Sequence, residues 1–401
     1  MDIESATFGA LISTNAIAKL LASLLVGLYI AEIGPKRAIV WSMVSNTIGL
    51  GILGFCPRIK GNTNNLDLGP SDKSADLALA TSFLSFTLMG AGGGGYITAQ
   101  YAIILDTFPE TFSQEIGFYE IFSGLGSSIA PLMAGTILEL IDDDFIWVGL
   151  LGTLVGILCL LGSIFCLKEL ENSQPSKIKE AISLLRNFGI QIAFSAILLG
   201  MGVLYALQAL LESHVSGFVS EDEPIKAGLP WAFSGICYAI TAPFWGKIIN
   251  NPSRARYCLF IGISLMAITL FLFDDRFLLV RILGLSVPSS ELKNAQFIYF
   301  NTIIALNGSL LAAPIIASYQ VMNDITLGEL KFPATIGNLG LISTCWNIGY
   351  SLSNVLGPTI FGGVGQIFDF YVAMRVYGLC LGGLGFVMLV YYYVKFWRFG
   401  N

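Results

Sequence analysis

Long apolar stretches, each close to free of charge, recur along this chain and leave it few ways to fold. A membrane-crossing helix needs roughly twenty mostly apolar residues. Stretches that meet this need lie at about 6–31, 38–56, 78–105, 115–140, 145–168, 188–212, 226–249, 256–274, 296–321, 335–362 and 370–397. Charged residues are 12% of the 401, against 55% hydrophobic, where a soluble domain wets its surface with about a quarter charged. Inside lipid every backbone N–H and C=O must be satisfied within its own segment, which leaves the helix. The expected fold is therefore all-α, a multi-pass membrane helix bundle with eleven spans.

The longest polar link in the middle of the chain, 169–187, holds Glu169, Glu171, Lys177, Lys179, Glu180 and Arg186. It separates five spans in an N-terminal half, 1–168, from six in a C-terminal half, 188–401. Cytosolic loops carry the excess of Lys and Arg. With the loop Glu32–Arg37 placed in the cytosol, that side collects twelve of them and the other side eight. The other side also carries the runs Asp142–Asp144 and Glu221–Glu223 and is about nine charges negative. The central link and the tail Lys395–Asn401 are thus expected to face the cytosol. Cysteines introduced in both should react with an impermeant reagent only after permeabilisation; labelling of either in sealed cells overturns the orientation.

The two halves echo each other. Span 1 ends in Ala22-Ser-Leu-Leu-Val-Gly27 and span 7 in Thr241-Ala-Pro-Phe-Trp-Gly246; span 4 holds Ala130-Pro131-x-x-Ala-Gly135 and span 10 Gly357-Pro358-x-x-Phe-Gly362. A proline four residues before a glycine, twice, in matching spans, reads as a parallel duplication. An even duplication has six spans in each half, so the first span of the first half is expected to be missing, or to lie upstream of Met1.

Several chemistries have no footing here. Gly90-x-Gly92-x-x-Gly95 has the spacing of a dinucleotide-binding loop, but such a loop joins a strand to a helix, and this one lies inside the apolar run 77–105. Close helix packing through small residues is the better reading. The seven cysteines form no CxxC pair and sit in apolar segments as packing residues. His214, the one histidine, cannot build a zinc site alone. The start Met1-Asp2-Ile3-Glu4 lacks the basic region of a signal peptide. No enzyme activity, cofactor, metal or nucleic-acid partner is expected.

Charges inside spans are expensive and survive where they pair or face a wet cavity. Two stand out, Lys19 in span 1 and Glu120 in span 4. They are opposite in sign, so mutual neutralisation is one role; for Glu120 the other is a carboxyl that takes up and releases a proton. Around them lie Asn15, Gln100, Tyr101, Gln208, Asn301, Asn307, Asn347, Tyr350 and Asn354. Asn15 and Lys19, four apart, share a helix face, as do Asn347, Tyr350 and Asn354. These are the candidates for a substrate cavity or its coupling, with interhelical hydrogen bonding as the structural alternative.

The loop Gly27-Leu-Tyr-Ile-Ala31-Glu32-Ile-Gly34-Pro-Lys36-Arg37 resembles the loop after the second span of the major facilitator superfamily. Ala31 and Glu32 stand where that family has an aspartate and an arginine, which weakens its acid–base latch. Tyr119-Glu120-Ile-Phe-Ser-Gly-Leu-Gly-Ser-Ser-Ile-Ala130-Pro131 resembles the fifth-span antiporter motif of the vesicular amine transporters, above all their polyamine branch. Gly340-Leu-Ile-Ser343 and Gly357-Pro358-Thr359 resemble that branch's eleventh span. The resemblance covers nearly the whole chain, from the family's second span to its twelfth. It implies a secondary transporter that exchanges protons for an organic cation, working as a monomer in a secretory-vesicle or other organelle membrane, or in the plasma membrane. Alternating access then makes Gly27, Gly34, Lys36, Arg37, Pro131, Gly135, Gly357, Pro358 and Gly362 conformational elements. The acids that the amine transporters carry in their seventh, tenth and eleventh spans fall near Leu207, Ser309 and Asn347, all neutral. That departure keeps open a non-transporting scaffold or sensor, or a fragment of a full-length transporter.

Overall fold

The computed structural model describes residues 5–61, 73–141, 145–169, 178–215, 224–273 and 292–399. The acidic runs 142–144 and 221–223 and residues 170–177 of the central link lie outside them. The helices are α1 (Ser5–Ile33), α2 (Pro35–Gly61), α3 (Lys73–Thr107), α4 (Phe112–Leu140), α5 (Ile146–Cys166), α6 (Ile178–Arg186), α7 (Phe188–Val215), α8 (Pro224–Ile249), α9 (Pro252–Leu272), α10 (Leu292–Asn323), α11 (Ile336–Leu356), α12 (Gly363–Ile367) and α13 (Phe370–Phe399). Two stretches of wider π-helix, Asp324–Glu329 and Gly357–Gly362, extend α10 and α11. No strand occurs among the described residues. Each of the eleven expected spans falls on a helix, and α6 places a short helix in the central link.

Local sequence explains several boundaries. Gly34 has φ +87°, a left-handed conformation that suits glycine after a helix end. Its N–H donates to the Ile30 carbonyl at 2.9 Å, and Pro35, with φ already set, opens α2. Asn251 caps α9: its side chain accepts from the backbone N–H of Ser253 at 3.0 Å, with Pro252 next in line.

Nine helices among the described residues are long and apolar enough to cross a membrane by length and composition. The helices at 226–249 and 335–362 fall below that mark, and the reason is visible in α11. Asn338, Ser343, Thr344, Asn347, Ser351 and Ser353 on it are all buried, so a helix that touches little lipid has no need of an apolar exterior. α5 is the opposite case. Trp147, Leu150, Leu154, Leu158, Leu161 and Phe165 are all exposed, an apolar surface suited to lipid. The cysteines divide likewise: Cys56, Cys258 and Cys345 are buried packing residues, whereas Cys159, Cys166 and Cys380 are exposed.

By packing, the chain divides into two compact units. The first comprises Met1–Thr107, Ala134–Ile182 and Phe332–Val355, and the second Phe108–Met133, Ser183–Lys331 and Leu356–Asn401. In the first, α1 and α2 pack on α3, and α5 packs on α2; α11 joins them through hydrogen bonds. In the second, α7, α8 and α9 pack on α10, and α13 packs on α9 and α7. These units cut across the halves 1–168 and 188–401. Three crossings from one unit to the other fall in helical runs: at Met133–Ala134 just past Pro131, at Ile182–Ser183 within α6, and at Val355–Leu356 just before Gly357-Pro358.

Candidate functional site

In the first unit the glycine run of α3 sets the geometry. A Cβ on Gly90 would run into the backbone of Asn15, and one on Gly94 into the backbone of Lys19. Both pairs are four apart, so one face of α3 lies directly on one face of α1. Close packing is therefore what these glycines do, as their place inside an apolar run led us to expect. The Asn15 side-chain amide donates to the Phe86 carbonyl at 3.0 Å.

Helix α11 completes the junction. Asn347, fully buried, donates through its side chain to the Gly94 carbonyl and to the Thr98 hydroxyl, each at 3.1 Å. Thr98 in turn lies 2.7 Å from the Ser23 hydroxyl, and Thr344 donates to the Ser23 carbonyl at 3.1 Å. On the same helix Trp346 and Tyr350 stack with ring centroids 5.5 Å apart, and Tyr101 meets Trp346 edge-on at 5.0 Å. The Lys19 ammonium lies 5.1 Å from the Tyr350 ring centroid, within cation–π range. The buried oxygens Gln100 Oε1, Asn347 Oδ1 and Ser351 Oγ have no hydrogen-bond partner among the described residues. Five of the candidates thus meet here or border the junction: Asn15, Lys19, Tyr101, Asn347 and Tyr350; Gln100 lies on α3 between Thr98 and Tyr101.

The second unit holds Glu120. It is 4% exposed and accepts a hydrogen bond from the Tyr238 hydroxyl at 2.5 Å, the short end of O–H···O bonds. Glycines again let the helices approach: Gly117 and Gly124 of α4 back onto Gly246 and Gly235 of α8. Asn307 donates to the Thr269 hydroxyl at 2.9 Å, both buried, which is the interhelical glue of the structural alternative. Gln208 is exposed and joins neither cluster. His214 stacks on Phe370 with centroids 4.1 Å apart.

The conformational candidates are scattered. Arg37 lies 3.9 Å from Glu169, both largely exposed, a geometry that contributes little. Gly27 backs onto Thr344 and Gly357 onto Gly202, while Gly135 has nothing near it and Gly362 only Ala209. Helix α4 runs unbroken through Pro131, and Pro358 lies within the second π-helical stretch.

One polar chain escaped the sequence reading. Ser113 donates to Gln320 at 2.6 Å, Gln320 donates to Asp324 at 2.8 Å, and Arg256 bonds Glu329 at 2.7 Å. The span ending at 321 stopped short of Asp324. The π-helical stretch, which continues the helix through Glu329, was the missing piece. Tyr238, too, was passed over as one aromatic among many.

A sequence model of the Major Facilitator Superfamily matches residues 1–274. The chain belongs to this superfamily. Relatives of this superfamily member include the MFS-type transporter SLC18B1 of Mus musculus, 24% identical over 390 residues that span 96% of this chain and 78% of the relative. The Homo sapiens protein of the same name is 24% identical over 396 residues, 97% of this chain and 79% of that one. Both agree with the resemblance to the vesicular amine transporter family. Among solved structures, the human organic anion transporter MFSD10 (TETRAN) superposes with a TM-score of 0.65 at 14% identity, over 95% of this chain and 83% of that one. The proton:xylose symporter XylE does so with 0.66 at 14% identity, over 100% and 88%. These two likenesses speak to the fold alone. The protein is thus a multi-pass membrane protein of a small-molecule transporter superfamily.

Proposed function

We propose that this superfamily member is a secondary active transporter that exchanges protons for an organic cation of the amine or polyamine kind. The observation that supports this most is the junction of α1, α3 and α11. It offers a stacked aromatic pair, one ring already facing an ammonium, beside buried oxygens that lack donors. Aromatic faces and free acceptors suit a ligand that is cationic and rich in N–H groups. Glu120 is the carboxyl for the proton. Access alternates between the two membrane faces as halves built on 1–168 and 188–401 rock, with Pro131 and Pro358 as flexing points; each removes a backbone hydrogen bond near a place where a helical run passes from one packing unit to the other. The protein works as a monomer, in an organelle membrane such as that of a secretory vesicle.

Purified protein in proteoliposomes, with the membrane potential clamped at zero, should take up spermidine when an acid-inside pH gradient is imposed. One-for-one exchange then supports about tenfold accumulation per pH unit, the free-energy equivalent of one unit. Uptake that ignores the gradient removes the antiport reading and leaves the family untouched. A scaffold or sensor is favoured by one observation, the neutral Leu207, Ser309 and Asn347; it expects cation binding or none, but no flux.

A further inference from the structure

Lys19 is the one charged residue on α1 between Ser5 and Glu32, and none interrupts α3 between Asp76 and Asp106 or α11 anywhere. Asp106 lies twelve residues along α3 from Gly94, about 18 Å at 1.5 Å per residue, and Glu32 thirteen residues from Lys19, about 20 Å. On α2, which also meets α1, the charges Lys36 and Arg37 stand at its start. The Lys19 ammonium therefore has no carboxylate near it on these helices. It has an aromatic ring instead, 5.1 Å away. Both Lys19 and Tyr350 remain partly exposed.

What surrounds that contact is built for more than a lysine. Trp346, Asn347, Tyr350 and Ser351 occupy one side of α11, three and four residues apart. Trp346 is 2% exposed and backs the Tyr350 ring. Asn347 is fully buried, with its amide nitrogen spent on Gly94 and Thr98 and its oxygen unpartnered among the described residues. Ser351, 1% exposed, likewise keeps an unpartnered hydroxyl. Gly94, which receives the Asn347 amide, is the residue that backs onto the Lys19 backbone. The aromatic face, the open oxygens and the ammonium thus belong to one junction.

We infer that the Tyr350 face of this junction is an organic-cation subsite and that Lys19 is its tethered competitor, a side-chain cation that holds the face when no cargo is present. The inference rests on the cation reading above and adds to it how the empty site is kept. Two unit charges about 5 Å apart at an effective dielectric near 20 repel strongly enough to weaken binding a few hundredfold. An incoming cation and the Lys19 ammonium cannot share the ring. The lysine side chain has four rotatable bonds with which to leave. Holding the face in this way lowers the affinity for cargo, which lets the site release what it carries.

The test measures binding of tetraethylammonium, whose charge is independent of pH, to the full chain in detergent. Lys19→Met and Lys19→Gln, which empty the face, should each bind about a hundredfold tighter than wild type. Lys19→Arg, which keeps a cation on the same tether, should stay within about threefold of it. Adding Tyr350→Leu to Lys19→Met should weaken binding at least about tenfold. Neutral variants that bind like wild type or weaker overturn the inference, and so does absence of binding in all of them. Loss of folding by both neutral variants overturns it too, because a placeholder is dispensable where backbone packing already joins α1 to α3. Gradient-driven spermidine uptake by wild type with no tightening in Lys19→Met defeats the placeholder and leaves antiport standing. Tightening with uptake that ignores the gradient does the reverse.

Discussion

Glu120→Gln is expected to fold, to reach the membrane and to keep binding a cation, yet to lose its response to a proton gradient. The carboxyl is 4% exposed and takes the Tyr238 hydroxyl at 2.5 Å. Glutamine keeps the shape and one acceptor oxygen, so that hydrogen bond survives, but it mimics only the protonated acid and has no proton to release. In proteoliposomes wild type should accumulate cation about tenfold at one pH unit, and the variant about equally with and without the gradient. A Gln variant with the wild-type response defeats the coupling role. Tyr238→Phe separates coupling from stability. It removes a donor to a buried oxygen, which costs about 1–3 kcal/mol, and should lower the melting temperature while leaving the gradient response in place. Because the two side chains touch, the double variant should fall short of the sum of the single costs.

Gly94→Val is expected to be among the most destabilising single changes in the protein. Its new side chain would occupy the space now filled by the Lys19 carbonyl, which is backbone and cannot rotate away. Forcing the two helices apart is overpacking, which costs about 1–3 kcal/mol and on occasion more, and here it also pulls Asn347 from its bonds. Gly126→Ala is the matched control. Nothing lies within 4 Å of a Cβ at that position, and alanine is better than glycine in a helix interior by about 0.5–1 kcal/mol. Thermal unfolding in detergent should therefore shift down for Gly94→Val and slightly up for Gly126→Ala. Equal shifts would mean that the α1–α3 contact is not what holds this unit.

The span pattern was legible because length and hydropathy are local properties. So was the glycine run of α3, whose place inside an apolar stretch already excluded a phosphate loop. What stayed hidden depends on partners far along the chain. Asn307 and Asn347 look alike in sequence, yet one ties α10 to α9 and the other ties α11 to α3 with an oxygen to spare. Within their own units Lys19 faces the Tyr350 ring and Glu120 takes the Tyr238 hydroxyl, neighbours that the opposite signs of the two charges do not announce. Neither ring carries a signature that separates it from the chain's other tyrosines. Asp324 was lost for a simpler reason, a helix that continues past its apolar part.

The bonds from α11 to the first unit also set an order of events during synthesis. Thr344 reaches Ser23 across 321 residues, and Asn347 reaches Thr98 across 249. A ribosome adding about 5–20 residues per second needs about 12–50 s to cover the shorter of these gaps. For that time α1 and α3 are already made while α11 does not yet exist. The Ser23 and Thr98 hydroxyls, 2.7 Å apart, can satisfy one another meanwhile, so the nascent pair has a way to wait in the bilayer. Asn347 arrives to a contact already made. Removing either hydroxyl would strip that interim partnership and expose the young helices to quality control, a defect that appears in the yield of protein made and not in the stability of the molecules that survive.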